Sequence, residues 1–390
     1  MEEVKVRVWE GDLVLEGDGL IIAEEGLAEV KGELACKGSC TVKGSLIAVR
    51  VRVGRSMHVE GDLNVHDDVK VEGALQIKGS LSAKRVKVDN SCYVKSLLKA
   101  EEVSIGGFLR CKEIDAGSVR VGGTFRVEKG KVYSVNVGGF MEFSELEAES
   151  ISVGGYIDGG KARARRVSAG GSIEAEKLEV DHVSVGGWFH LAEGRLGRLA
   201  VGGTARVKGV LVVDELSVGG VAEIGELEGE DVKVGGALTL QRGGEVRGMV
   251  SVGGTLESKG LLRVNRLKVG GFVDVERLVA KEVEVGNLVT SAGVQAEVFK
   301  VSRKGTVDGL IVAREFLMED GGSAREVYAK LFECGEGCRV QKLHAEKALI
   351  GKGSVIEYVS YVEELKLGEG ARVVISEKVN EIKPPAGFPF

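Results

Sequence analysis

Proline is almost missing from this 390-residue chain: there are 3, and all of them (Pro384, Pro385 and Pro389) stand at its end. That excludes a collagen-like or proline-rich linker composition. Cysteine is sparse too, with 6 residues (Cys36, Cys40, Cys92, Cys111, Cys334 and Cys338), too few for a disulfide scaffold in a chain this long. Aromatic residues make up only 5%. No apolar run approaches the roughly 18 residues that a membrane-spanning helix needs. The N-terminus, MEEVKVRVWEGDLVLEG, carries acids at once, so no cleavable leader is expected and the chain reads as cytoplasmic. The net charge of -6 gives no general attraction to nucleic acid or acidic membranes. Asn and Gln are scarce beside Lys, Arg and Glu, a balance expected of a thermophilic source.

What the chain does have is glycine, 59 residues of it, in an ordered series. From Gly106-Gly107 to Gly270-Gly271 a Gly-Gly pair recurs every 16 to 18 residues, and Gly286-Asn287 continues the count. A fixed period of this kind reorganises the reading of everything between the marks. In the unit at 139–154, GFMEFSELEAESISVG, the residues assigned inward are Met141, Phe143, Leu146, Ala148, Ile151 and Val153. Two units later Ile173, Ala175, Leu178, Val180, Val183 and Val185 repeat the pattern.

Within each pair of inward residues the interval is two, the period of a strand, and three separates one pair from the next. Each unit therefore reads as three short strands joined by three corners, and stacking equivalent strands in parallel closes the chain into coils. The expected fold is all-β: a single-stranded, parallel, three-sided β-helix with one coil per repeat of about 16 residues. One coil alone cannot offset the entropy of ordering itself, so neighbouring coils must stabilise one another. The Gly pair marks a corner where the backbone needs either positive φ or close approach to the adjacent coil.

Four segments follow. Residues 1–105 carry a looser form of the repeat, marked by Val42-Lys43-Gly44, Val59-Glu60-Gly61 and Ile77-Lys78-Gly79. Residues 106–302 hold the regular repeat, and 303–382 a less regular one in which 323–333 (SAREVYAKLFE) reads as one or two helical turns or an irregular coil. The apolar tail 383–390, KPPAGFPF, cannot extend a ladder; Pro384, Pro385, Phe388, Pro389 and Phe390 are candidate cap residues for the last coil.

The short strands punctuated by hydrophobic-x-Gly and Val-Gly-Gly, as in VEGALQIKGSLSAKRVKV at 71–88, resemble those of the bactofilins, polymer-forming cytoskeletal proteins. The resemblance covers most of the chain and carries no catalytic motif. It implies a right-handed triangular β-helix that polymerises end to end without a nucleotide cofactor. This chain departs from the family pattern in its longer solenoid, which begins almost at Met1, and in lacking the apolar N-terminal segment of many members.

Several surface features bear on function. The residue after the Gly pair points outward and gives an interrupted aromatic stripe, Phe108, Phe140, Tyr156, Trp188 and Phe272, a candidate lateral contact whose simpler role is to cover the glycine corner. Two positions on stand Arg110, Arg126, Glu142, Asp158, Glu174 and His190, with three carboxylates in successive coils. The coil at 155–170 has small inward residues and an outward Lys161, Arg163, Arg165 and Arg166, either an anion-binding patch or the charge balance of Glu145, Glu147 and Glu149. Cys36/Cys40 and Cys334/Cys338 could pair or hold a metal, but lack a second ligand pair, so structural thiols are expected.

No cofactor or metal motif stands out, the 5 His form no nucleophile arrangement, and the chain does not read as an enzyme. The leading reading is a scaffold or filament subunit whose partner is a second copy of itself, joined through the end coils. A monomeric binding scaffold for a protein or anionic partner comes second. A β-helix enzyme with a loop-built site in 303–337 comes third.

Overall fold

In the coil Thr124–Val137 the residues Phe125, Val127, Gly130, Val132, Val135 and Val137 are buried and those between them are exposed or, at Ser134, half-buried. Alternation by two drives each short strand, and the two outward residues between buried pairs turn the corner. The computed structural model describes residues 1–390, in which every regular element is a strand and none is a helix. Equivalent residues of successive coils pair in parallel at an offset of one repeat, as in Phe125↔Met141, Met141↔Ile157 and Ile157↔Ile173. The chain is a parallel β-solenoid.

The coils fall into two compact units, Met1–Leu191 and Ala192–Phe390. In the first, the opening coils pair at larger offsets (Leu13↔Leu34, Leu46↔Leu63, Leu81↔Leu98) before settling to the regular one. The ladder runs through 105/106 without a break, since Ser91–Ile105 pairs with Phe108–Val121. In the second unit a single strand, Thr255–Met318, passes through 302/303.

The residues 323–333 are neither helical nor irregular. They belong to the strand Ser323–Cys334, where Ala324, Val327, Ala329, Phe332 and Cys334 are buried. The spacing is the repeat's own, but the Gly pair before it, Gly321-Gly322, stands out of the regular corner phase, with Gly322 itself buried. Phe332 stacks on Phe316 at 5.5 Å between ring centroids, and Phe316 on Phe299 at 5.3 Å, giving this part of the interior an aromatic column. No loop projects from 303–337: the residues outside strands are two tight corners, at 319–322 and 335–338.

Close approach, not positive φ, explains the Gly pairs. None of the glycines of the recurring corner pairs from Gly106-Gly107 to Gly270-Gly271 has a positive φ; Gly243, in a Gly-Gly outside that series, has φ of 80°. A Cβ on Gly122 would fall on the carbonyl oxygen of Gly106, and one on Gly138 on that of Gly122. Each corner lies directly against the carbonyl of the corner before it, while Gly123 N donates to Gly107 O at 3.0 Å.

The thin coil at 155–170 also has a packing reason. Gly159 leaves room for the Phe143 ring of the previous coil, whose Cε2 would stand 2.7 Å from a Cβ placed there. Of the inward assignments at 139–154, only Ala148 is half-buried; the other five are buried.

Candidate interaction surface

Parallel registry turns a residue type repeated at one position into a column, and the aromatic stripe of the first unit is such a column. Phe140 and Tyr156 stack at 5.6 Å with their planes 14° apart. Tyr156 meets Trp188 at 5.4 Å. These two rings close over the intervening coil, whose Ser172 is only 7% exposed despite its outward position. The Ser172 hydroxyl accepts from the Trp188 amide at 3.3 Å. At the other end Thr124 interrupts the rings, and Arg126 spans the gap, its guanidinium carbon 6.0 Å from the Phe108 centroid and 5.9 Å from that of Phe140. Trp188 continues onto His190 at 4.5 Å.

Phe108, Phe140, Tyr156 and Trp188 are thus brought together, whereas Phe272 lies in the second unit. Arg126 is the member that the aromatic spacing missed. Its own spacing from Phe108 and Phe140 was the available signal, because an Arg two places past the stripe position Thr124 stands within reach of both neighbouring rings.

Beside the rings runs the carboxylate column. Glu142 takes an ion pair from Arg126 at 2.8 Å and Glu174 a hydrogen bond from the Tyr156 hydroxyl at 2.9 Å. Between them stands Asp158. Partial burial, then the charges of Glu174 and Glu142, hold its carboxyl above the ordinary range. No cluster of three or more His, Cys, Asp or Glu side chains is placed to hold a metal ion.

The basic coil lies along another face, over a shallow groove of about 680 Å³ whose floor includes Gly130. Glu113, Lys129, Glu145 and Lys161 follow one another in register, as do Asp115, Lys131, Glu147 and Arg163. Charge alternates up both columns. Arg163 pairs with Glu179 of the next coil at 2.6 Å and Arg165 with Glu149 of the previous one at 3.1 Å. Lys161 lies in register between Glu145 and Lys177, and Arg166 between Ser150 and His182. Two of the four cations are thus paired, one on each side of the coil, and the acids that take them include Glu179, beyond the expected set.

In the second unit a further column, Tyr328, His344 and Tyr358, has centroid separations of 4.3 and 5.6 Å. His344 Nδ1 lies 2.7 Å from the Ser360 hydroxyl, and burial holds its pKa below the usual histidine range. The separation of Tyr328 from His344 equals one repeat, a signal present in the sequence.

Both cysteine pairs flank the same kind of corner, and all six thiols are unbridged and buried. Hydrogen bonding to Cys36, then burial, holds Cys40 well above the ordinary thiol range, and Cys338 and burial do the same to Cys334. Cys338 Sγ also lies 3.3 Å from the Glu319 carbonyl oxygen.

The tail is not an end cap. Past the last strand, Arg372–Lys378, it turns back along the side of the second unit. Phe388 lies over Arg277, Pro389 beside Gln295 and Phe390 near Lys330. Pro384 and Pro385 belong to the segment that crosses to that position. Side-face aromatic and polar contacts, which an apolar composition alone does not reveal, decide its place.

No helix is long and apolar enough to cross a membrane. No family model, curated protein or solved structure matches this chain.

Proposed function

We propose that this chain is a structural subunit that self-assembles head to tail through the open edges of its first and last strands, as the resemblance to bactofilins implies, with no nucleotide required. The observation that carries the reading is the last strand. Arg372–Lys378 pairs on one side only, with Val355–Leu367, and presents Val374 at 70% and Ile375 at 57% exposure. A long unpaired strand bearing apolar side chains is a template for further pairing. The tail leaves it uncovered by folding onto the side.

The first strand, Glu2–Val6, likewise pairs only with Gly19–Cys36, and Val8, Trp9 and Val14 are exposed near it. Pairing a last strand with the first strand of another copy joins two different surfaces, the heterologous geometry that builds filaments. Sedimentation and negative-stain electron microscopy over a concentration series test this. End-joined particles that disappear in the Val374→Lys, Ile375→Lys double variant support the reading; single particles at every concentration overturn it.

A partner-binding scaffold is the second reading, favoured by the column from Phe108 to Trp188, whose terminal ring is 36% exposed. Substituting Trp188 would then abolish partner capture and leave self-assembly intact.

A further inference from the structure

The side face that receives the tail is shaped for it. Arg277 Nη2 donates to the Gly387 carbonyl at 2.9 Å, and its guanidinium carbon lies 4.9 Å from the Phe388 ring centroid. Gln295 Nε2 donates to the Pro389 carbonyl at 2.9 Å, and Lys330 Nζ stands 5.7 Å from the Phe390 centroid. Beneath Phe388 the surface is hollowed: a Cβ on Gly293 would come 2.8 Å from Phe388 Cζ. Two cations thus read two aromatic rings through their faces, and two donors read the carbonyls that precede them, those of Gly387 and Pro389.

The tail arrives already bent. Phe388 N donates to Pro385 O at 3.1 Å across a turn whose third residue, Gly387, has φ of 88°. Positive φ at that place suits glycine in a turn of type II, and the prolines restrict the segment further, so little freedom is lost on docking. Beyond Val379 the tail joins no strand, so it can leave without unpairing any coil.

We propose that this face is a binding site for a Gly-aromatic-Pro-aromatic peptide, and that its occupant besides the chain's own tail is the tail of a second copy, docked in trans by exchange. A second copy presents the same rings and carbonyls, so it makes the same contacts; exchanging an identical element between copies is the least demanding route to association. The linkage is lateral and independent of strand pairing at the ends.

The test uses the full-length chain with Phe388→Ala and Phe390→Ala, which empties the site, and a fluorescent peptide of residues 383–390. Saturable one-to-one binding is expected, weakened about tenfold or more by Arg277→Ala in the chain or by Phe388→Ala in the peptide. Wild-type chain, its site filled by its own tail at high effective concentration, binds the peptide at least about tenfold more weakly. No saturable binding, or binding indifferent to both substitutions, overturns the site. A fluorine label on Phe388 of the unsubstituted chain gives a second reading: excess unlabelled peptide moves its resonance to the free-tail position if the site exists and leaves it unchanged if not.

For the trans occupant, the emptied chain is immobilised and wild type is passed over it. Capture that the peptide competes away supports exchange. Capture that survives both excess peptide and Phe388→Ala in the mobile chain reports end-to-end pairing and overturns exchange, as does no capture at all.

Discussion

The Tyr156 hydroxyl donates to Glu174 Oε2 at 2.9 Å and so ties the aromatic column to the carboxylate column of the next-but-one strand position. Replacing Tyr156 by Phe keeps the stack on Phe140 and removes this bond. A loss of about 0.5 to 1.5 kcal/mol is expected in denaturant melts of the full chain, with Tyr156→Ala costing more because the ring contacts to Phe140 and Trp188 go as well.

Asp158 sets a pH dependence of definite sign. Burial and its like-charged neighbours raise its folded-state pKa, so the folded chain binds this proton more tightly than the unfolded one. Its contribution therefore falls as pH rises from the unfolded value, about 3.9, through the folded one, and becomes more favourable on acidification. Asp158→Asn is expected to stabilise by about 0.2 to 1 kcal/mol at neutral pH, and the gap in melting temperature to wild type should narrow as pH falls through that window. A gap that widens on acidification contradicts the assignment.

Gly138→Ala places a methyl group against the Gly122 carbonyl, which belongs to a ladder and cannot move alone. A cost of about 1 to 3 kcal/mol is expected, although φ there is ordinary. The same change at Gly337, where a Cβ would meet nothing but φ is 66°, should act through backbone strain instead and be relieved by Asn.

Val137 is 1% exposed and Val153 2%. Val137→Asp or Val153→Asp buries an unpaired carboxylate between neighbouring coils, with an expected loss of about 3 to 5 kcal/mol. Hydrogen exchange should show lost protection spreading from the altered coil to those stacked on it. A variant as stable as wild type would remove the inward assignment.

The six buried thiols give a simple count. A bulky thiol reagent should react with none of them in the native chain and with 6 in denaturant, under reducing preparation.

The repeat was legible wherever Gly-Gly marked the corner, and with it the strand period, the inward residues and the column from Phe108 to Trp188. It was harder to read at 323–333, because Ala324, Val327, Ala329 and Phe332 keep the interval but the Gly pair before them, Gly321-Gly322, stands out of the regular phase. Arg126 was legible as an outward residue, but its place against the Phe108 and Phe140 rings depended on the gap that Thr124 leaves between them. The tail's position depended on Arg277, about a hundred residues upstream, and on the hollow at Gly293; neither has a local signature at Phe388.

Registry at one repeat per coil has a last consequence. Deleting residues 123–138 from the first unit would remove one whole coil and lay Phe140 onto Phe108, leaving every later partner in phase. A deletion inside a strand would turn the inward side chains of that strand outward, whereas a corner can gain or lose a single residue, as the register shifts between Val207 and Val210 and between Val246 and Met249 show. The chain behaves as a ratchet whose tooth is a coil: duplication or loss of whole teeth changes the number of coils and leaves the ladder in phase.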